Sequence, residues 1–280
     1  MPKKVVTTIN GRFVSDADAK ISVYDNALLY AEGLFETFMA INDHIAFAKE
    51  HFERMQKGAK FLGIKIPIAN KLLLQWLIKT AAKHPARLKR LRLTITSGDS
   101  PVWRGIAGKP RVICSAVEHR LETAPLRLFV SPIRVDGDSS FNQIKTIAYG
   151  ARAAALRMAQ AKGCDDALLL NNKNNISEIT SANIFWAQDG MFYTPPVSAG
   201  CLEGVTRRVI LEEAKKQNWQ IEEKNFTLEE LSLADEVFTT SSVRMARPVG
   251  EIKSEDFQAK IKQGSGWKKV FEHLCRMLDI

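Results

Sequence analysis

At 280 residues, 45% of them hydrophobic and 25% charged, the chain has the balance of an ordinary globular protein and enough length for two modest domains. The formal net charge of +9 comes from scattered lysines and arginines without a basic arm or aromatic ladder, which argues against a nucleic-acid binder and suits a protein that draws in anionic ligands. No apolar run is long enough to span a membrane, no signal-peptide core follows Met1-Pro2-Lys3-Lys4, and Cys114, Cys164, Cys201 and Cys275 have no metal-ligand spacing, so the expectation is a cytoplasmic protein with reduced thiols.

In chain order, Val5-Val6-Thr7-Thr8-Ile9 and Arg12-Phe13-Val14 flank Asn10-Gly11, a strong hairpin signal because both turn positions favour positive φ. A second strand pair is predicted at 35–41 and 44–47, turning at Asn42-Asp43. Phe52, Met55, Ala59 and Leu62 recur at helical spacing, which gives a helix over 49–62 that Gly63 stops. A further helix is predicted over 70–83, with Trp76 and Leu72, Leu73 and Leu74 in its core, and strands over 90–96 and 111–117. A polar stretch ending at Pro125 marks a linker, so the domains are set at 1–120 and 121–280.

The second half opens with a strand at 126–135, then a polar loop at 136–140 and an alanine-rich helix over 148–162 that Gly163 stops. Strands follow at 166–170, 183–188 and 191–194, the last two joined by Asp189-Gly190. A helix at 204–218, a strand at 220–226, a capping box of Thr227 with Glu230, a strand at 236–240 and a helix at 264–278 complete an α+β chain without repeats.

Lys145, between Ile144 and Ile147, is expected in a partly dry setting that lowers its pKa and leaves more of the amine neutral and nucleophilic. About thirty residues on, the run Ser177-Glu178-Ile179-Thr180-Ser181-Ala182-Asn183-Ile184-Phe185 sets a carboxylate behind a turn. Such a pair suits pyridoxal phosphate, which needs an amine to hold its carbonyl and an acid to keep its ring nitrogen protonated. For the phosphate, Gly204 precedes an apolar-periodic helix, so the N–H groups of Gly204, Val205 and Thr206 can converge on an anion, with the Thr206 hydroxyl beside them. Thr239-Thr240-Ser241-Ser242 offers more hydroxyls, and Arg54, on the polar side of the 49–62 helix, is a candidate phosphate clamp. His44, His51, His84, His119 and His273 show no metal spacing, His51 being read as a packing residue at a helix start. No dinucleotide motif or nucleophilic serine elbow is present.

Glu50-His51-Phe52-Glu53-Arg54, Lys145, the block from Ser177 to Phe185, Gly204-Val205-Thr206-Arg207 and Thr240-Ser241-Ser242 follow one order over nearly the whole chain. In that order and spacing the sequence resembles the class IV aminotransferases. These are the fold-type IV pyridoxal phosphate enzymes: branched-chain aminotransferases, D-amino acid aminotransferases and aminodeoxychorismate lyases. The resemblance implies a smaller N-terminal α/β domain, a larger β-barrel-like C-terminal domain with helices, and a homodimer. It implies Lys145 as the Schiff-base lysine and proton carrier, Glu178 at the ring nitrogen, and Arg54, Val205, Thr206 and Ser242 around the phosphate. Tyr149 resembles the tyrosine some members set near the cofactor's phenolic oxygen, one residue short of the branched-chain offset.

Two reactions stay open. The first reading is transfer of an amino group from an amino acid to a 2-oxo acid, with 2-oxoglutarate or pyruvate as acceptor. The alternative is aminodeoxychorismate lyase, which eliminates pyruvate and leaves 4-aminobenzoate for folate synthesis. Phe35-Glu36-Thr37-Phe38-Met39 aligns with a pocket-lining strand, where Thr37 and Met39 replace the glycine and arginine of branched-chain enzymes and Thr37 is similar to the lyase. The Arg-x-His trap of the D-amino acid enzymes is missing, Val102 standing in the arginine's place. Arg104-Gly105 is similar to a pair in the lyase's loop, and Arg92 lies where several relatives carry Arg or Lys. Thr37, Arg92 and Arg104 are therefore substrate-binding candidates, the two arginines as partners of a carboxylate.

Overall fold

The computed structural model describes residues 4–100 and 108–280. By its contacts the chain divides into two compact units, Met1–Arg120 with Ile144–Ala148, and Leu121–Gln143 with Tyr149–Ile280.

The first unit carries β1 (Val5–Ile9), β2 (Arg12–Val14), α1 (Asn26–Leu29), β3 (Gly33–Ile41), β4 (His44–Ile45), α2 (Ala48–Leu62), α3 (Asn70–Lys83), β5 (Leu88–Thr96) and β6 (Val112–Glu118). Its six-stranded sheet runs β2-β1-β6-β5-β3-β4. Asn10 at φ 51° and Gly11 at φ 76° make the expected tight turn between β1 and β2. Along β5, Leu91, Leu93 and Ile95 point into the core while Arg90 and Arg92 point away, the period of two that a half-covered strand requires. Leu34, Phe38 and Ala40 of β3 join that core under Phe52, Met55 and Ala59 of α2 and Leu73 and Leu77 of α3. Gly63, left-handed at φ 67°, stops α2. Leu72 departs from the sequence expectation. Three successive helical positions cannot face one way, so Leu73 is buried and Leu72 turns outward.

The second unit carries β7 (Leu126–Val130), α4 (Gly150–Ala161), β8 (Asp166–Leu170), β9 (Ile176–Ile179), β10 (Asn183–Gln188), β11 (Met191–Thr194), α5 (Val205–Lys216), β12 (Ile221–Glu223), α6 (Leu228–Ser232), β13 (Glu236–Ser241), β14 (Met245–Lys253), β15 (Gln258–Lys260) and α7 (Gly266–Leu278). The strand order is β12-β11-β10-β13-β14-β7-β8-β9, with β15 on β14. Trp186, Phe185 and Phe238 are fully buried, and Phe185 stacks on Phe238 at 5.4 Å. The parallel pair β7 and β8 is joined through α4, the crossover such a pair needs. The Thr227–Glu230 capping box is present, with both its hydrogen bonds.

Several stretches differ from expectation, α1, β9 and β15 being elements that the sequence did not announce. The strand opening at Leu126 ends at Val130, because Pro132 cannot donate to a ladder. The strand expected over 220–226 shortens to β12. The nine-residue β14, which joins β13 to β7, was not expected at all. Among the described residues no helix is long and apolar enough to cross a membrane.

Candidate active site

Lys145 is held by the first unit. The Phe35 N–H donates to the Lys145 carbonyl at 3.0 Å, and the Ile147 N–H donates to the Gly33 carbonyl at 3.1 Å, so the lysine segment runs as a short antiparallel partner of the start of β3. Its two isoleucines anchor it. Ile144 packs on the unit's core beside Gly58, and Ile147 lies where a side chain on Gly33 would stand. The Lys145 ammonium sits 4.4 Å from the centroid of the Phe35 ring, and the Arg92 guanidinium lies 3.7 Å from the same centroid. Thr37 is the cross-strand partner of Arg92, so Phe35, Thr37 and Arg92 share one face of β3 and β5. Arg92 also donates to Thr94 Oγ1 at 3.1 Å.

Glu36 points the other way, beneath α2. Its carboxylate accepts Arg54 Nε at 2.9 Å and Arg54 Nη2 at 2.5 Å, and lies 2.7 Å from His51 Nδ1. Burial alone would raise the Glu36 pKa, but Arg54 and His51 outweigh it and bring it down to about 2. Burial pushes the His51 imidazole below its ordinary value, against the opposing pull of Glu36. Arg54 therefore does not lie on a solvated helix face: its side chain is 9% exposed and commits two guanidinium nitrogens to Glu36. His51 is buried, as a packing residue would be, and is also a member of this charge cluster. Glu36 was missed. Its signal was a carboxylate inside an otherwise apolar strand, two residues before the buried Phe38.

The second unit assembles Glu178, Tyr149, Gly204, Val205, Thr206, Ser241 and Ser242. Glu178, with its side chain 4% exposed, lies on β9 opposite Leu169. Its Oε1 accepts Arg152 Nη2 at 2.6 Å and the Leu202 N–H at 3.2 Å. Among the described residues its Oε2 has a single long contact, 3.4 Å from Asn183 Nδ2, which also donates to the Leu202 carbonyl at 2.8 Å. Behind β9, Asp166 fixes the turn by accepting from the hydroxyls of Thr180 at 2.5 Å and Ser181 at 3.0 Å. The Tyr149 hydroxyl donates to the Thr180 carbonyl at 3.0 Å.

Gly204 is the N-cap of α5 and offers no side-chain acceptor to its N–H groups. A side chain could not fit there, since a Cβ would collide with Asn183 Oδ1. Thr206 Oγ1 lies 3.3 Å from Ser242 Oγ, and Asn183 pairs across strands with Thr240, so the α5 start and the end of β13 meet around Asn183. The Thr240 hydroxyl is buried without a hydrogen-bond partner among the described residues. Ser241 accepts the Arg244 N–H at 3.3 Å within a turn that closes at Met245, left-handed at φ 56°. That backbone costs about 1 kcal/mol for a residue with a side chain.

Arg104, with Val102 and Gly105, lies outside the described residues. Besides Glu36, the sequence does not single out Arg152 and Asn183. Asn183 stood inside a quoted block, and Arg152 was one cation in an alanine-rich helix. Among the described residues no cluster of His, Cys, Asp and Glu could hold a metal ion.

The family described as amino-transferase class IV matches residues 33–252. A Methanocaldococcus jannaschii protein assigned by name to the branched-chain-amino-acid aminotransferases is 34% identical over 249 residues, 87% of this chain and 86% of that one. The aminodeoxychorismate lyase of Bacillus subtilis is 29% identical over 255 residues, 89% and 87% of the two chains. Among solved structures, the T.th. branched-chain amino acid aminotransferase complexed with N-(5'-phosphopyridoxyl)-L-glutamate aligns with TM-score 0.88 at 27% identity, covering 97% of this chain and 93% of that one.

Proposed function

This chain belongs to the class IV aminotransferases, an enzyme family with the fold-type IV architecture, and from that membership we propose that it uses pyridoxal 5'-phosphate to move an amino group from an amino acid to a 2-oxo acid, acting as a homodimer. The residues present fit that cofactor. The uncapped start of α5, the Thr206 and Ser242 hydroxyls and the orphaned Thr240 hydroxyl suit a phosphate, and Glu178 suits a protonated pyridine nitrogen. The observation that carries the reading is Glu178: a buried carboxylate with one oxygen tied down and the other nearly free, in the same unit as an anion-ready helix start.

When bound, pyridoxal phosphate supplies an aldehyde that holds amines and a ring that accepts the electron pair left as an α-proton departs. Lys145 would be the amine that holds the cofactor, and its Nζ would take the proton that leaves the substrate's α-carbon. Glu178 Oε2 would be the acceptor for the ring nitrogen's N–H. The Gly204, Val205 and Thr206 N–H groups, with Ser241 and Ser242 and with Arg54 as a further cation, would hold the phosphate. Tyr149 steadies the turn that follows Glu178 through its bond to Thr180. Arg92, seated on Phe35 and opposite Thr37, binds the substrate carboxylate together with Arg104.

The test is direct. Borohydride reduction of the cofactor-loaded protein, followed by peptide mapping, is expected to fix the cofactor on Lys145; a loaded, folded sample with no adduct there overturns the reading. A panel of L- and D-amino acids then separates the reactions. Conversion of bound cofactor to the pyridoxamine form supports transamination. Pyruvate release from aminodeoxychorismate without that conversion supports the lyase, a reading favoured by Thr37 lying across from Arg92 where branched-chain enzymes carry glycine.

A further inference from the structure

The start of α4 reaches β9 and the turn after it from two positions. Tyr149, the N-cap, and Arg152 lie three residues apart and so stand on one side of the helix. Tyr149 bonds the Thr180 carbonyl, two residues beyond Glu178, and Arg152 Nη2 bonds Glu178 Oε1 itself at 2.6 Å. The Arg152 side chain is 19% exposed and its guanidinium carbon lies 5.6 Å from the Tyr149 ring centroid. Burial works against its charge, yet Glu178 outweighs burial and raises the Arg152 pKa. The consequence for Glu178 is asymmetric. Among the described residues Oε1 holds both close donors, Arg152 and the Leu202 N–H, whereas Oε2 has only Asn183 at 3.4 Å. A carboxylate pinned in this way cannot turn over, and it presents one defined oxygen.

We propose that Arg152 is a positioning residue for the reaction: its ion pair with Glu178 ties down Oε1 and leaves Oε2 aligned as the acceptor for the ring N–H of the cofactor. This rests on the pyridoxal phosphate reading above. The physical ground is orientation. Arg152 Nη2 at 2.6 Å and the Leu202 N–H at 3.2 Å both hold Oε1, which leaves Oε2 to face a ring N–H. Removing the guanidinium frees the carboxylate to rotate, so a protonated ring nitrogen loses its aligned anionic acceptor and is less well stabilised.

The experiment loads the full chain with pyridoxal phosphate labelled with nitrogen-15 in the ring and compares the parent with Arg152→Met and Arg152→Lys. The nitrogen-15 shift of the parent is expected in the pyridinium range and that of Arg152→Met displaced toward neutral pyridine. Cofactor affinity of Arg152→Met is expected to fall about tenfold, the size of a lost hydrogen bond to a charged group. Arg152→Lys, which keeps the charge, is expected to restore the nitrogen shift and most of the affinity. A role confined to filling space or neutralising charge in the fold predicts lower stability with an unmoved nitrogen signal. Identical shift and affinity in the parent and in Arg152→Met overturn the proposal; should that variant not fold, Arg152→Gln is judged by the same criterion. Borohydride trapping on Lys145 in the parent keeps the two readings apart. An adduct with an unmoved nitrogen signal sinks only the role of Arg152, while the absence of any adduct sinks the cofactor reading and this proposal with it.

Discussion

Glu36 holds two basic side chains in a place with almost no water, and its protonation is tied to stability. Its folded pKa of about 2 lies below the ordinary carboxylate value of 4.5, so the contribution is fully present above 4.5 and is lost as pH falls toward about 2. His51 adds in the same direction. Burial lowers its folded pKa below 6.5, so the unfolded chain takes up that proton first as pH falls. Glu36→Gln is expected to cost about 3 kcal/mol at neutral pH and to flatten the acid limb of stability below 4.5. Urea unfolding across that range checks it, and parallel curves for the two proteins would contradict it. Arg92 poses a different question at the same scale. Arg92→Ala is expected to raise KM for the amino acid about tenfold or more while cofactor affinity holds, because a carboxylate partner acts on substrate alone. An unchanged KM removes Arg92 from the substrate site. Lys145 and Glu178 were legible because each stood in a run of distinctive neighbours. Glu36 was not, since nothing in Phe35-Glu36-Thr37 announces that a histidine and an arginine from the next helix will converge on it.

Elements hold the lysine where side chains alone would not. The Lys145 segment borrows two backbone hydrogen bonds from the start of β3, and that approach depends on Gly33 having no side chain. A Cβ there would meet the Ile95 carbonyl oxygen and Ile147 Cδ1, each at 2.8 Å. Ile147 can turn aside, whereas the Ile95 oxygen belongs to the β3–β5 ladder and cannot. Gly33→Ala is therefore expected to cost about 1–3 kcal/mol and to displace the segment bearing Lys145. Thermal unfolding with borohydride trapping checks both parts: stability equal to the parent would mean that the ladder adapts. The same scale shows where sequence patterning failed. The helices over 48–62 and 70–83 were readable from apolar spacing with a glycine stop or polar flanks. β14 was hidden by Pro248 and Gly250, residues that usually argue against a central strand. Pro248 pairs only with Phe238 of β13, ahead of the pairing of Val249 with Leu126 of β7, so its missing N–H breaks no bond on that side. Gly250 falls in the register shift between Val249 and Glu251.

At the scale of the whole molecule, the exposed apolar surface is unevenly spread along the chain. Phe13, Ile21, Val23, Tyr24, Leu28, Leu29 and Tyr30 all stand in solvent within residues 13–30, Val23 at 63% and Leu28 at 60% exposure. Single exposed leucines are ordinary, but a run of this density is the kind of surface that the proposed homodimer would cover. The net charge of +9 opposes association of like chains over a distance, so contact must come from short-range burial of that apolar stretch. A second copy is the occupant that the homodimer reading supplies. Val23→Glu combined with Leu28→Glu leaves both units' cores untouched, since neither residue belongs to them. The expected outcome is a parent that sediments at twice the chain mass and a double variant that sediments as a monomer. Its unfolding, extrapolated to conditions where the parent is also dissociated, should match the parent's. A parent that stays monomeric at micromolar concentration contradicts the homodimer. A double variant that remains dimeric moves the interface away from residues 13–30, because two buried carboxylates without partners would cost several kcal/mol in each protomer.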